Sequence, residues 1–126
     1  MSLPHPHPAP WVAVVDDDGE MRAAILALVQ AAGFEGCGFA TGPDLLDRVA
    51  SDVPACVVLD MDMPGMDGLT VQARLAVHPD LPVIFVSGAA TPAMQARALA
   101  AGARTFLHKP VCGDELLDAV EAALGA

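Results

Sequence analysis

Short apolar runs start near Val12, Phe34, Ala55, Val83 and Thr105, at intervals of 22, 21, 28 and 22 residues, and each is followed by a stretch of helical character. No other feature of the chain restricts its fold as much. Val12 to Val15, Cys56 to Leu59 and Val83 to Val86 are apolar throughout, as strands covered by helices on both faces must be. The intervening stretches carry helix punctuation at Ala32-Gly33, Gly42-Pro43, His78-Pro79, Thr91-Pro92, Ala101-Gly102 and Cys112-Gly113-Asp114. Five βα units therefore predict one doubly wound α/β domain with a parallel sheet. The second strand, Phe34 to Ala40, is interrupted by Gly36 and Gly38 and is expected at an edge or at a bulge. Residues 1–10, MSLPHPHPAP, are too rich in proline for helix or central strand. They are expected to be a disordered leader, which can include vector-derived residues, ahead of a domain over 11–126.

Composition removes several classes of function. A chain of 126 residues can bury about two thirds of its unfolded surface and needs no metal or disulfide staple. Sixteen acidic side chains against six basic ones, a net charge of −10, leave nothing to neutralise a run of phosphates, so this domain is expected to contact no nucleic acid. Any DNA contact is expected of another segment. Cys37, Cys56 and Cys112 are odd in number and widely spaced, which suits a reducing cytoplasm. No apolar run approaches the roughly 18 residues of a membrane span, and no signal-peptide pattern opens the chain. The expectation is a soluble, cytoplasmic protein without a membrane partner.

In a doubly wound sheet ligands gather at the carboxyl ends of the strands. Strand one ends in Asp16-Asp17-Asp18, strand three in Asp60, strand four in Ser87-Gly88, and strand five runs through Phe106-Leu107-His108 into Lys109-Pro110. Clustered carboxylates repel one another, and a divalent cation resolves the repulsion. Oxygen-only ligands suit Mg²⁺ or Mn²⁺, which keep waters and accept phosphate oxygens. An ionised Asp60 beside such a metal is a candidate nucleophile toward a phosphoryl group. Lys109, the only lysine in the chain, Ser87 and a backbone N–H after it could hold the phosphoryl oxygens. Asp18 reads instead as a helix N-cap.

Four segments together resemble the receiver domain of two-component response regulators: V-V-D-D-D at Val14 to Asp18, V-V-L-D-M-D-M-P-G-M-D-G at Val57 to Gly68, P-V-I-F-V-S-G at Pro82 to Gly88, and G-A-R-T-F-L-H-K-P at Gly102 to Pro110. They occur in the family's order and span nearly the whole chain from Trp11. The resemblance implies a flavodoxin-like (βα)5 fold with a five-stranded sheet in the order 2-1-3-4-5. It implies Asp60 as phospho-acceptor, Asp16 and Asp17 as metal-site acids with the backbone carbonyl of Asp62, Ser87 as switch hydroxyl, Phe106 as switch aromatic and Lys109 as phosphoryl-binding lysine. In the family the bond between this lysine and Pro110 is usually cis. The implied function is a phosphorelay switch that takes its phosphoryl group from a sensor histidine kinase or phosphotransfer domain with Mg²⁺ or Mn²⁺, and then alters a partner-binding or dimerisation face. It is not an enzyme on an external substrate; its only chemistry is its own phosphorylation and dephosphorylation. Asp62 and Ala89 depart from the commonest family pattern, and both flank the path of a hydrolytic water.

Three rival readings use the same residues. Val57 to Asp62 also resembles the D-x-D nucleophile motif of haloacid dehalogenase-like phosphohydrolases, with Gly113 to Asp118 as a later acidic motif. Yet Gly113 comes only four residues after Lys109, which leaves no room for a further strand, and Asp114 reads better as the N-cap of the fifth helix. A flavin module needs a hydroxyl-rich or glycine-rich loop where this chain has three aspartates. A pseudo-receiver used only as a binding surface would not need an intact acid set. Helix one is apolar nearly all round between Met21 and Ala32, which predicts a docking surface at Met21, Ala24 and Leu28 for a helical phosphotransfer partner. His5 and His7 fall in the leader, His108 reads as a solvent-facing strand residue, and Met61, Met63 and Met66 read as packing around the acceptor loop.

Overall fold

The structure, a computed structural model, describes residues 10–125. Strands and helices alternate: β1 (Trp11–Val15), α1 (Gly19–Ala31), β2 (Glu35–Phe39), α2 (Gly42–Val49), β3 (Cys56–Asp60), α3 (Gly68–Leu75), β4 (Val83–Ser87), α4 (Pro92–Ala100), β5 (Thr105–His108) and α5 (Gly113–Ala123). All strand pairs are parallel and the order is β2-β1-β3-β4-β5, the flavodoxin-like arrangement expected. The leader expected over residues 1–10 lies, except for Pro10, outside the described residues.

Alternate residues of each central strand feed two cores. Trp11, Ala13, Val15, Val57, Leu59, Val83 and Phe85 pack with α2, α3 and α4 through Leu45, Val71, Leu75 and Ala98. Val12, Val14, Cys56, Val58, Ile84 and Val86 pack with α1 and α5 through Ile25, Val29, Leu116 and Val120. This double coverage is why β1, β3 and β4 are buried along their whole length. All three cysteines are free, and burial pushes the Cys56 thiol up to about 12, far from a reactive thiolate. Met61 and Met63 are buried and Met66 leans on the same core, so these methionines do serve as packing.

β2 is an edge strand with an unbroken register from Trp11↔Glu35 to Val15↔Phe39, so the bulge alternative does not hold. Its glycines answer to α1: a Cβ on Gly36 would stand 3.0 Å from Leu26 Cδ2, and one on Gly38 2.9 Å from Leu26 Cδ1. The apolar surplus of α1 is thus partly spent inside the fold. Leu26 lies over β2 and Leu28 packs toward Gly113 at the start of α5, while Ala23, Ala24, Ala27 and Ala31 face solvent. Of the three residues expected to dock a partner, Ala24 is exposed, while Met21 and Leu28 are both half-buried against the α1–α5 core.

Helix starts follow capping chemistry. Asp18 caps α1 by accepting the Glu20 and Met21 N–H groups, Thr41 caps α2, Asp67 caps α3 and Thr91 caps α4. The α5 expectation needs correction: its cap is Cys112, which makes no side-chain cap bond, and Asp114 lies within the first turn beside Glu115. There both acids favour the positive end of the helix dipole without capping it.

Candidate functional site

β1 delivers its acids under tight local control. The Asp16 N–H donates to the Phe39 carbonyl at 3.1 Å, Asp16 Oδ1 accepts the Asp18 N–H at 2.9 Å, and Arg22 Nη1 donates to the Asp16 carbonyl at 2.8 Å. Asp16 is consequently 1% exposed, while its neighbour Asp17 faces out. β3 delivers Asp60, 3% exposed, whose Oδ1 accepts the Asp62 N–H at 3.0 Å. Carboxylate oxygens of Asp16, Asp17 and Asp60 all lie within 4.8 Å of one another.

Lys109 arrives from the far edge because its N–H donates to the Ser87 carbonyl at 2.8 Å, extending the β4–β5 ladder by one bond. Its Nζ lies 3.4 Å from Asp16 Oδ2 and 3.7 Å from Asp60 Oδ1. The Lys109-Pro110 bond is cis. Burial alone would lower the Lys109 pKa, but the Asp60 and Asp16 carboxylates outweigh it and hold the ammonium above its ordinary value. For Asp60 the balance runs the other way. Burial, helped by the Asp16 charge, pushes its carboxyl up to about 6 against the pull of the Asp62 N–H and Lys109. Three acids facing one ammonium leave a net negative pocket with oxygen donors and an open side at Asp17, a donor set that fits Mg²⁺ or Mn²⁺.

Ser87 is fully buried at the end of β4. Its hydroxyl donates to Asp62 Oδ2 at 2.6 Å, and its oxygen accepts the N–H groups of Ala89 at 3.2 Å and Ala90 at 2.9 Å. The Gly88 N–H reaches the same Asp62 oxygen at 3.2 Å. Phe106 sits half-buried behind this loop, its ring 6.0 Å from that of Phe85 and 5.4 Å from that of the exposed His108.

The response regulator receiver domain model matches residues 12–121 of this chain. The chain is a receiver domain. It is 42% identical over 115 residues to Nodulation protein W of Bradyrhizobium diazoefficiens, covering 89% of this chain and 50% of that protein. It is 37% identical over 116 residues to the C4-dicarboxylate transport transcriptional regulatory protein DctD of Rhizobium meliloti, covering 91% and 25%. A receiver protein structure from Burkholderia phymatum superposes with a TM-score of 0.81 at 38% identity, covering 93% of this chain and 96% of that one. The chain thus spans half or less of these two curated relatives. Receiver domains of two-component systems are phosphorylated by histidine kinases and serve signalling rather than turnover of an external substrate. The haloacid dehalogenase alternative finds no support: no strand separates Lys109 from α5 among the described residues, and Asp114 lies in that helix.

The structure brings Asp16, Asp17, Asp60, Asp62, Ser87 and Lys109 to one sheet edge, with Phe106 behind them. Two contacts went unread in the sequence. Arg22 locks the Asp16 backbone, and its only signal was a cation one turn into the helix that follows the acids. The Asp62 carboxylate engages Ser87, 25 residues on, for which no local pattern exists. The Ser87 hydroxyl thus has a carboxylate acceptor in Asp62.

Proposed function

We propose that Asp60 is the phospho-acceptor of this receiver. The observation that carries it is a buried carboxylate held between two further acids and the ammonium of Lys109, which lies within 4 Å of both Asp16 and Asp60. Asp16 and Asp17, with Asp60 and the backbone carbonyl of Asp62, would hold Mg²⁺ or Mn²⁺. When bound, the cation neutralises the acids and offers phosphoryl oxygens a positive partner. An Asp60 oxygen attacks phosphorus, forming a P–O bond as the P–N bond of the phosphohistidine breaks; the imidazole leaves with the bonding pair and takes up a proton. Lys109 stays protonated throughout and balances charge on the transferred oxygens.

Acetyl phosphate with Mg²⁺ should raise the intact mass by one phosphoryl group, and a chelator should prevent it. Equal labelling with and without divalent metal refutes the metal assignment. The donor is a sensor kinase or phosphotransfer domain that docks at Met21, Ala24 and Leu28, on the helix that starts beside Asp17. Such a donor and three free thiols both suit the cytoplasm, and no helix among the described residues is long and apolar enough to cross a membrane. Residues 11–126 make up the receiver unit, and water attack on the acyl phosphate would return it to rest.

Output is read on the face of α4, β5 and α5, where Ser87 and Phe106 couple the loop to the acceptor. On α4, Ala93, Ala96, Leu99 and Ala100 are exposed, with Arg97 the one charge among them, so the surface is mostly small and apolar and a second copy can approach closely. Sedimentation in Mg²⁺ should show heavier species with beryllofluoride than without, from a coupling of about 1–3 kcal/mol. Unchanged mass with the mimic bound, and an unchanged environment at Phe106, moves the output to another face.

A further inference from the structure

We propose that the Asp62 carboxylate is a built-in occupant of the phosphoryl seat, an intramolecular anion that must leave before a phosphoryl group on Asp60 can be held. The inference rests on Asp60 being the acceptor. The donors that would receive a phosphoryl oxygen from the β4 side are the Ser87 hydroxyl and the Gly88 N–H. Both converge on one atom, Asp62 Oδ2, at 2.6 and 3.2 Å. A hydroxyl and a backbone amide each carry a single hydrogen, so neither is free for a second acceptor while Asp62 holds them. The Ser87 oxygen has no slack, because its acceptor side takes the Ala89 and Ala90 N–H groups.

The Asp62 side chain is separate from the cation cluster, which is built from Asp16, Asp17 and Asp60. Asp62 is exposed while Ser87 is fully buried. The carboxylate can therefore swing into water and recover its hydration, whereas the hydroxyl has nowhere else to turn. An unsatisfied buried hydroxyl is unfavourable, so the resting domain keeps Asp62 in place until a stronger anion replaces it. A phosphoryl dianion carries more charge and three acceptor oxygens, so it wins the exchange. The signal is then the identity of the anion that Ser87 and Gly88 hold, on Asp62 at rest and on Asp60 after transfer.

The test has two arms. In metal-free protein, the Gly88 amide proton resonance should be shifted downfield by its carboxylate acceptor, and Asp62→Ala should move it back upfield. With Mg²⁺, beryllofluoride should bind Asp62→Ala about five- to fifty-fold more tightly than wild type, since no carboxylate competes for charge-assisted bonds. In a Ser87→Ala background the Asp62→Ala gain should shrink to about twofold. An equal gain in both backgrounds means that only repulsion was removed, and overturns the proposal; so does an unmoved Gly88 resonance. Wild type that binds beryllofluoride while Asp62→Ala binds no tighter also overturns the proposal but leaves the Asp60 assignment standing. Binding by neither wild type nor Asp62→Ala overturns both.

Discussion

Asp60→Asn should abolish labelling by acetyl phosphate, with at least about a hundredfold loss of rate, because a carboxamide oxygen is a far poorer nucleophile than a carboxylate. The same change should make the resting domain more stable. Burial lifts the Asp60 carboxyl from 3.8 to about 6, so the fold prefers the neutral form. A raised carboxyl pKa contributes stability that is fully present below the unfolded value and is lost as pH rises through the folded one. Near neutrality the wild type therefore bears the whole penalty of an ionised Asp60 and the asparagine variant bears none. The shift corresponds to an upper bound of about 3 kcal/mol, and roughly 1–2 kcal/mol remains once Lys109 loses a partner. Urea melts of metal-free protein should show the variant ahead at neutral pH and the gap closing by about pH 4. Mg²⁺ should stabilise wild type more than the variant. A variant that labels at a comparable rate removes Asp60 from the acceptor role; one that melts below wild type at neutral pH contradicts the electrostatic account.

Gly68→Ala should destabilise the domain by about 3 kcal/mol or more, lowering Tm by roughly 10 °C. Helix propensity alone points the opposite way, since Gly68 is the first residue of α3 and alanine is favoured over glycine in helices by about 1 kcal/mol. The surroundings reverse the sign. A Cβ there would stand 2.7 Å from Met61 Cα, 2.8 Å from Phe85 Cε1 and 3.0 Å from the Asp60 carbonyl oxygen. Two of these are backbone atoms that no rotamer change can move, and Phe85 is locked in the core. Relief requires α3 to back away from the acceptor loop, so labelling should fall as well. Gly113 is the matched control: it also opens a helix, yet a Cβ on it would meet only Leu28 Cδ2 at 3.4 Å. Thermal melts should find Gly113→Ala within about 0.5 kcal/mol of wild type. Equal melting of Gly68→Ala and Gly113→Ala would falsify the close-packing account.

What the sequence determined by itself was whatever repeats or ends locally. Apolar runs without alternation demanded strands buried on both faces, and parallel βα units carry every strand's carboxyl end to the same edge. Asp16, Asp17, Asp60, Ser87 and Lys109 were therefore legible as one site before any distance was known. The cap at Asp18 was equally plain, because a cap is a contact over two or three residues.

Only the tertiary structure decided the matters that depend on which element approaches which. Gly36 and Gly38 looked like breaks in a strand, but they admit Leu26 from α1 and leave the register intact. Leu28 looked wholly free for a partner, but α5 beside it leaves it half-buried. Asp62 was one more acid near the pocket until β3 and β4 paired Asp60 with Val86, bringing the Ser87 hydroxyl within 2.6 Å of its carboxylate. Periodicity and capping are set by backbone geometry over a few residues, which sequence spacing encodes directly. The choice of partner for a long or charged side chain is made among groups tens of residues apart, at distances where a few tenths of an ångström separate a hydrogen bond from a clash.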